Sequence, residues 1–182
     1  RRISRKSEKI IWLIYILDKN LIKNSAVSLQ DALSFRNKAK KEKKTFVLTN
    51  GCFDLLHSGH VFSLIEASKL GDYLWVAINS DSSIKNLKGP KRPIVNEIDR
   101  AYLLTSLSCV AGVTIFNSTR LVDEILLLKP DIYAKAGDYD ESKINTDEHE
   151  ALKEVKSKIE FVSFLPGRST SSLINNIVSN FD

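Results

Sequence analysis

The run Tyr73-Leu74-Trp75-Val76-Ala77-Ile78 is apolar at every position, and the polar residue Asn79 closes it. A strand with one wet face would alternate, so an unbroken apolar run means cover on both faces, which is the condition of a parallel sheet between helices. At this length it cannot span a bilayer. Thr45-Phe46-Val47-Leu48 repeats the pattern, and further strand-like runs fall at 113–116, 131–135 and 160–164. Between them lie segments with helical spacing at 61–70, 80–85, 96–107, 119–128 and 147–156, and a last one starts at Ser169. Strands that alternate with helices imply βαβ units, so the expected fold is α/β: a doubly wound parallel sheet, Rossmann-like, in a single domain.

Punctuation supports these elements. Ser28 is placed to cap a helix over 29–43, and Asn96 to start another with Glu97 in its first turn. Gly71 is expected to end the 61–70 helix in the left-handed conformation. Residues 86–95 hold a glycine, two prolines and three basic residues, so they read as a loop.

With 182 residues and 43% apolar content, one domain with a sizeable core is expected: residues 28–182, with 1–27 as an extension of unknown role. Two cysteines make no disulfide framework, and a reducing, cytoplasmic location is expected. The net charge of +5 comes largely from residues 1–9 and 38–44. No aromatic residues interleave there, so it reads as solvated surface plus attraction for phosphate, with no nucleic-acid partner. The apolar run at 10–17 follows a basic segment but is too short for a membrane span and lacks a small-residue cleavage site. It reads as a helix packed on the domain or on a second subunit, so a homodimer is admitted and a membrane partner is not.

The chemistry concentrates in Thr49-Asn50-Gly51-Cys52-Phe53-Asp54-Leu55-Leu56-His57-Ser58-Gly59-His60. This stretch reads as a strand end, a tight glycine turn, and a helix start carrying two histidines three positions apart. Helix N-termini favour anions, and two imidazoles can donate to the same anion without adding the charge of two lysines. A side chain at Gly59 would stand between the helix start and an approaching phosphate. Zinc is disfavoured, because Cys52 and the distant His149 are poor supplements to two histidines; no protein metal site is expected. Gly167-Arg168-Ser169-Thr170-Ser171 reads as a second helix start suited to an anion, although the same hydroxyls would serve as a plain N-cap.

The run 51–60 resembles the G-x-F-D-x-x-H-x-G-H signature of the cytidylyltransferase-like nucleotidyltransferases. The resemblance continues through Asn79-Ser80-Asp81, Lys88-Gly89-Pro90-Lys91-Arg92-Pro93, Arg100, Lys135-Ala136-Gly137-Asp138-Tyr139 and 167–171. Within that family the spacing is most similar to the heptose 1-phosphate adenylyltransferase branch, which serves ADP-heptose and lipopolysaccharide core synthesis. The resemblance implies transfer of AMP from ATP, accompanied by Mg²⁺, to a sugar 1-phosphate such as D-glycero-D-manno-heptose 1-phosphate, with release of pyrophosphate. Carried over residue by residue, it implies catalytic roles for His57, His60 and Lys88. It implies nucleotide or phosphate contacts for Gly51, Cys52, Phe53, Asp54, Gly59, Arg92, Lys135, Gly137, Asp138, Arg168, Ser169 and Thr170. One departure is Ala136, where the resembling enzymes more often have a second glycine. Another is Ser108-Cys109-Val110-Ala111, which stands where cytidylyl relatives carry Arg-Tyr-Val-Asp, so ATP is expected over CTP. A cytidylyltransferase acting on glycerol 3-phosphate, phosphocholine or phosphoethanolamine, and a non-catalytic nucleotide-binding module, are the alternatives.

Overall fold

The computed structural model describes residues 25–137 and 144–181. Expectations for the 10–17 run and for Asp138 and Tyr139 lie outside those residues. The described chain runs α1 (Leu29–Lys41), β1 (Phe46–Gly51), α2 (Ser58–Ser68), β2 (Tyr73–Asn79), α3 (Asp81–Lys88), α4 (Glu97–Thr105) and β3 (Gly112–Phe116). It continues with α5 (Val122–Leu128), β4 (Ile132–Ala136), α6 (Thr146–Glu154), β5 (Lys158–Val162) and α7 (Thr170–Phe181). The five strands form one sheet in the order β3-β2-β1-β4-β5, with every pairing parallel. This is the expected doubly wound α/β domain.

The unbroken apolar runs are explained by burial on both faces. Phe46, Leu48, Trp75, Ala77 and Tyr133 point to the side covered by α1, α5 and α6. Val47, Leu74, Val76, Ile78 and Ala134 point to the side covered by α2 and α4. Val27, before α1, bridges to Thr114 at the edge of the sheet and donates its amide to Val113.

Ser28 and Asn96 cap α1 and α4 as expected, through bonds from the amides of Asp31 and Asp99 at 3.1 and 3.0 Å. Other boundaries differ. α2 ends at Ser68 with Lys69 as its C-cap, and Gly71 is not among the positive-φ glycines. A Cβ at Gly71 would meet Val47 and Thr45 side chains at 2.7 and 2.8 Å, so glycine is there for close packing on β1. α5 starts at Val122, not Thr119, and has no local side-chain cap. The amide of Leu121 is met instead by Glu148 of α6 at 3.0 Å, a tertiary contact. β5 lies two residues earlier than the sequence pattern suggests, and α3 continues to Lys88 before Gly89 breaks it at φ +92.

Because all strands are parallel, their carboxyl ends share one edge. The turn after β1, the α3 start after β2, the segment after β4 and the approach to α7 all leave from it, which is where such folds bind ligands.

Candidate active site

The turn after β1 is shaped by a side chain folding back. Phe53 adopts φ +46, and a Cβ on Gly51 would lie 2.9 Å from its ring. Glycine at 51 therefore makes room for Phe53, and the left-handed residue of the turn is the phenylalanine. The Phe53 ring meets His60 edge-on at 5.2 Å between centroids.

His57 is the N-cap of α2. Its Nδ1 accepts from the amides of Gly59 (3.1 Å) and His60 (3.4 Å). Two of the helix's free amides are thereby consumed by the protein itself, and the neutral ring must carry its proton on Nε2. Gly59 clears space chiefly for this ring: a Cβ there would lie 2.9 Å from His57 Cε1 and 3.0 Å from Arg168 Cβ. The His57 and His60 rings stack at 3.8 Å with 23° between planes. Burial lowers the pKa of His57. Burial, then the adjacent His57 and Lys88, lower that of His60 to about 4. Both rings are neutral near pH 7, and His60 Nδ1 is buried without a protein partner among the described residues.

A groove of about 460 Å³ gathers His57, His60, Gly59, Lys88, Gly137, Arg168, Ser169 and Thr170. Residues distant in sequence thus converge on one surface: the α2 start, the α3 end and the α7 start. Ser169 caps α7 by accepting from the amide of Ser172 at 3.1 Å. A second cavity of about 280 Å³, sharing His60, Ser63 and Ala136 with the groove, holds Gly51, Cys52, Phe53 and Lys135. Burial lowers the pKa of Lys135.

Asp54 and Arg92 line neither space. Asp54, 2% exposed, accepts from the amides of Ile94 (2.7 Å) and Val95 (3.0 Å) and pairs with the Arg92 guanidinium. Burial alone would raise its pKa, yet the two amides and the guanidinium together hold it below the ordinary value. Arg92 therefore fastens the 89–95 loop to the signature turn.

Arg100 does similar work. Fully buried, it donates to the carbonyls of Val95 (3.0 Å) and Cys52 (2.7 Å) and to the Asp81 carboxylate (2.8 Å). It ties the loop, the turn and α3 together. It belongs to the resemblance but not to the expected site residues, and a buried arginine has no local sequence signal. Asn50 lies within the signature stretch but not among the expected site residues: its Oδ1 accepts from Tyr133 (2.7 Å) and Lys135 (3.3 Å).

No group of three or more metal-ligating side chains occurs among the described residues. No helix there is long and apolar enough to cross a membrane.

The cytidylyltransferase-like family model matches residues 48–176. Over 156 residues the chain is 40% identical to the bifunctional protein HldE of Syntrophotalea carbinolica, covering 85% of this chain and 31% of that one. Over 138 residues it is 45% identical to the bifunctional protein HldE of Helicobacter pylori, covering 76% and 28%. The chain thus spans about a third of the length of the curated relatives it matches. The crystal structure of the lipopolysaccharide core biosynthesis protein from Thermoplasma volcanium is similar at TM-score 0.54 and 26% identity, over 67% of this chain and 97% of that one.

Proposed function

The chain belongs to the cytidylyltransferase-like family, and on that premise we propose that it is an adenylyltransferase, moving AMP from ATP onto a sugar 1-phosphate and releasing pyrophosphate. The acceptor is D-glycero-D-manno-heptose 1-phosphate, the product an ADP-sugar, and the site of action cytoplasmic. The acceptor assignment is supported by the resemblance of the signature residues to the heptose branch and by the structural likeness to a lipopolysaccharide core biosynthesis protein. Residues 28–182 form the transferring domain.

One observation carries the reading: two stacked, neutral imidazoles share a groove with Lys88, Arg168 and the Ser169–Thr170 helix start. In the reaction an oxygen of the acceptor's phosphate bonds to the α-phosphorus. The bond from that phosphorus to the α,β-bridging oxygen breaks, and pyrophosphate leaves with the electron pair. The acceptor phosphate is already an anion near neutral pH, so no base has to remove a proton. Catalysis then rests on alignment and on donors aimed at developing charge.

His57 suits that role, because the helix amides engage Nδ1 and leave Nε2–H to donate. His60, kept neutral by burial, stands beside it. Lys88, Arg168 and the α7 start hold the β- and γ-phosphates as they leave. Arg92, engaged by Asp54, steadies the loop that follows Lys88. Asp54 has its oxygens occupied and no carboxylate lines the groove among the described residues, so a Mg²⁺ accompanying ATP would find few side-chain ligands here and would supply charge neutralisation at the phosphates.

A pyrophosphate-release matrix of four nucleoside triphosphates against phosphorylated sugars and alcohols tests the proposal. Release with ATP and a sugar 1-phosphate is expected; release only with CTP and an alcohol phosphate would move the chain to another branch, and none at all would leave a binding module.

A further inference from the structure

Asn50 is the last polar residue of β1 before the glycine, and it stands beside β4. In the strand order β3-β2-β1-β4-β5 the chain leaves β1 toward β2 on one side and returns from β3 to β4 on the other. The β1–β4 boundary is therefore the point where the winding reverses, and a crevice opens there.

The amide's orientation is decided by chemistry. Its partners at 2.7 and 3.3 Å are the Tyr133 hydroxyl and the Lys135 ammonium. An ammonium has no acceptor, so the atom facing it must be the amide oxygen. With Oδ1 taken, the Nδ2 group and its two N–H bonds remain, and they make no hydrogen bond with the described residues. Asn50 lines the 280 Å³ cavity that also contains Cys52, Phe53, His60 and Lys135. A donor held in place by two bonds on its other end, on a residue that lines a cavity, is preorganised to read an oxygen.

We infer that Asn50 selects a sugar hydroxyl of the bound substrates through Nδ2, an inference that rests on the nucleotidyl-transfer reading above. His60 forms the shared rim between this cavity and the phosphate groove. The group joined directly to the reacting phosphates is a sugar in both substrates: ribose on the α-phosphate of ATP, and the acceptor sugar on its 1-phosphate. Whichever substrate extends past His60, a sugar meets Asn50. A hydroxyl oxygen accepts from Nδ2, and a substrate lacking it leaves that donor unpaired.

The test is a cycle between protein and substrate. Asn50→Ala removes the amide altogether, whereas an aspartate there could still accept from the sugar O–H; Asn50→Leu, close to the amide in size, repeats the test without leaving a void, and circular dichroism checks the fold of both. The kcat/KM values are measured for ATP, 2′-deoxy-ATP and 3′-deoxy-ATP with heptose 1-phosphate, and for monodeoxy heptose 1-phosphates with ATP. The wild type should lose about tenfold or more for one missing hydroxyl, and both variants should treat that analogue and its parent alike within about threefold. The deoxy position affected tells ribose from acceptor, and the general cost of altering the Tyr133 and Lys135 contacts cancels in the ratio. Unchanged discrimination in the variants, or a wild type indifferent to every hydroxyl, would overturn the role of Asn50. A wild type that transfers no nucleotide at all refutes the transfer reading itself.

Discussion

His57 carries two separable jobs, and two substitutions divide them. His57→Ala removes the acceptor that meets the Gly59 and His60 amides at 3.1 and 3.4 Å, and it also removes the Nε2–H donor. Loss of an N-cap costs about 1 kcal/mol, which for a domain of this size is a fall in Tm of roughly 2–4 °C. Loss of one transition-state donor costs about 3 kcal/mol, or roughly a hundredfold in kcat. His57→Asn restores a good capping acceptor on a shorter side chain that cannot reach where Nε2 stood. It should therefore recover most of the Tm and little of the rate. Thermal unfolding followed by circular dichroism and continuous pyrophosphate release measure the two quantities on the same protein. Recovery of the rate together with the Tm would show that the imidazole matters only as a cap.

Asp54→Ala removes the anion from a buried ion pair and strips two amides of their acceptor. It should cost about 3–5 kcal/mol, a Tm fall of roughly 6–20 °C, and expose the 89–95 loop to limited proteolysis; a shift below about 1 kcal/mol would contradict the burial. His60, with its pKa lowered to about 4 by burial, contributes stability that is complete above the unfolded value near 6.5 and lost as pH falls toward 4. An NMR titration of its ring should find the midpoint well below 6, and a midpoint near 6.5 would contradict a neutral, desolvated ring. Competition between ATP and CTP should favour ATP by about tenfold or more, a preference that rests on the family resemblance, because residues 108–111 precede β3 at the amino edge of the sheet and line neither cavity of the site. Equal kcat/KM for the two would refute that account of base choice.

The parallel sheet was legible because β1 and β2 write double-sided burial directly into unbroken apolar runs. Helix starts were legible where the cap is local, as at Ser28 and Asn96. They were not where the cap comes from elsewhere: α5 begins at a leucine whose amide is met by Glu148, 27 residues along the chain. β5 begins two residues before its sequence signal because its first residue, Lys158, is exposed and the apolar weight falls on Phe161, Val162 and Phe164. At the site, His57, His60, Lys88 and the 168–170 helix start carry short-range signals and converge as a set. The division of labour among the charged residues was hidden. That Arg92 serves Asp54, and that Arg100 is a buried tie, depends on a loop folding back onto the turn, which no spacing encodes. Asn50 was hidden for the same reason, since its partners lie 83 and 85 residues away.

The central claim is that an acceptor phosphate oxygen attacks the α-phosphorus of ATP in the His57–His60 groove. Heptose 1-phosphate labelled with ¹⁸O in its phosphate, incubated with ATP and the protein, tests it through the mass of the products. Attack at the α-phosphorus predicts an ADP-sugar that keeps all the acceptor's label, together with unlabelled pyrophosphate. Formation of ADP and a labelled sugar bisphosphate, the signature of attack at the γ-phosphorus, would contradict it.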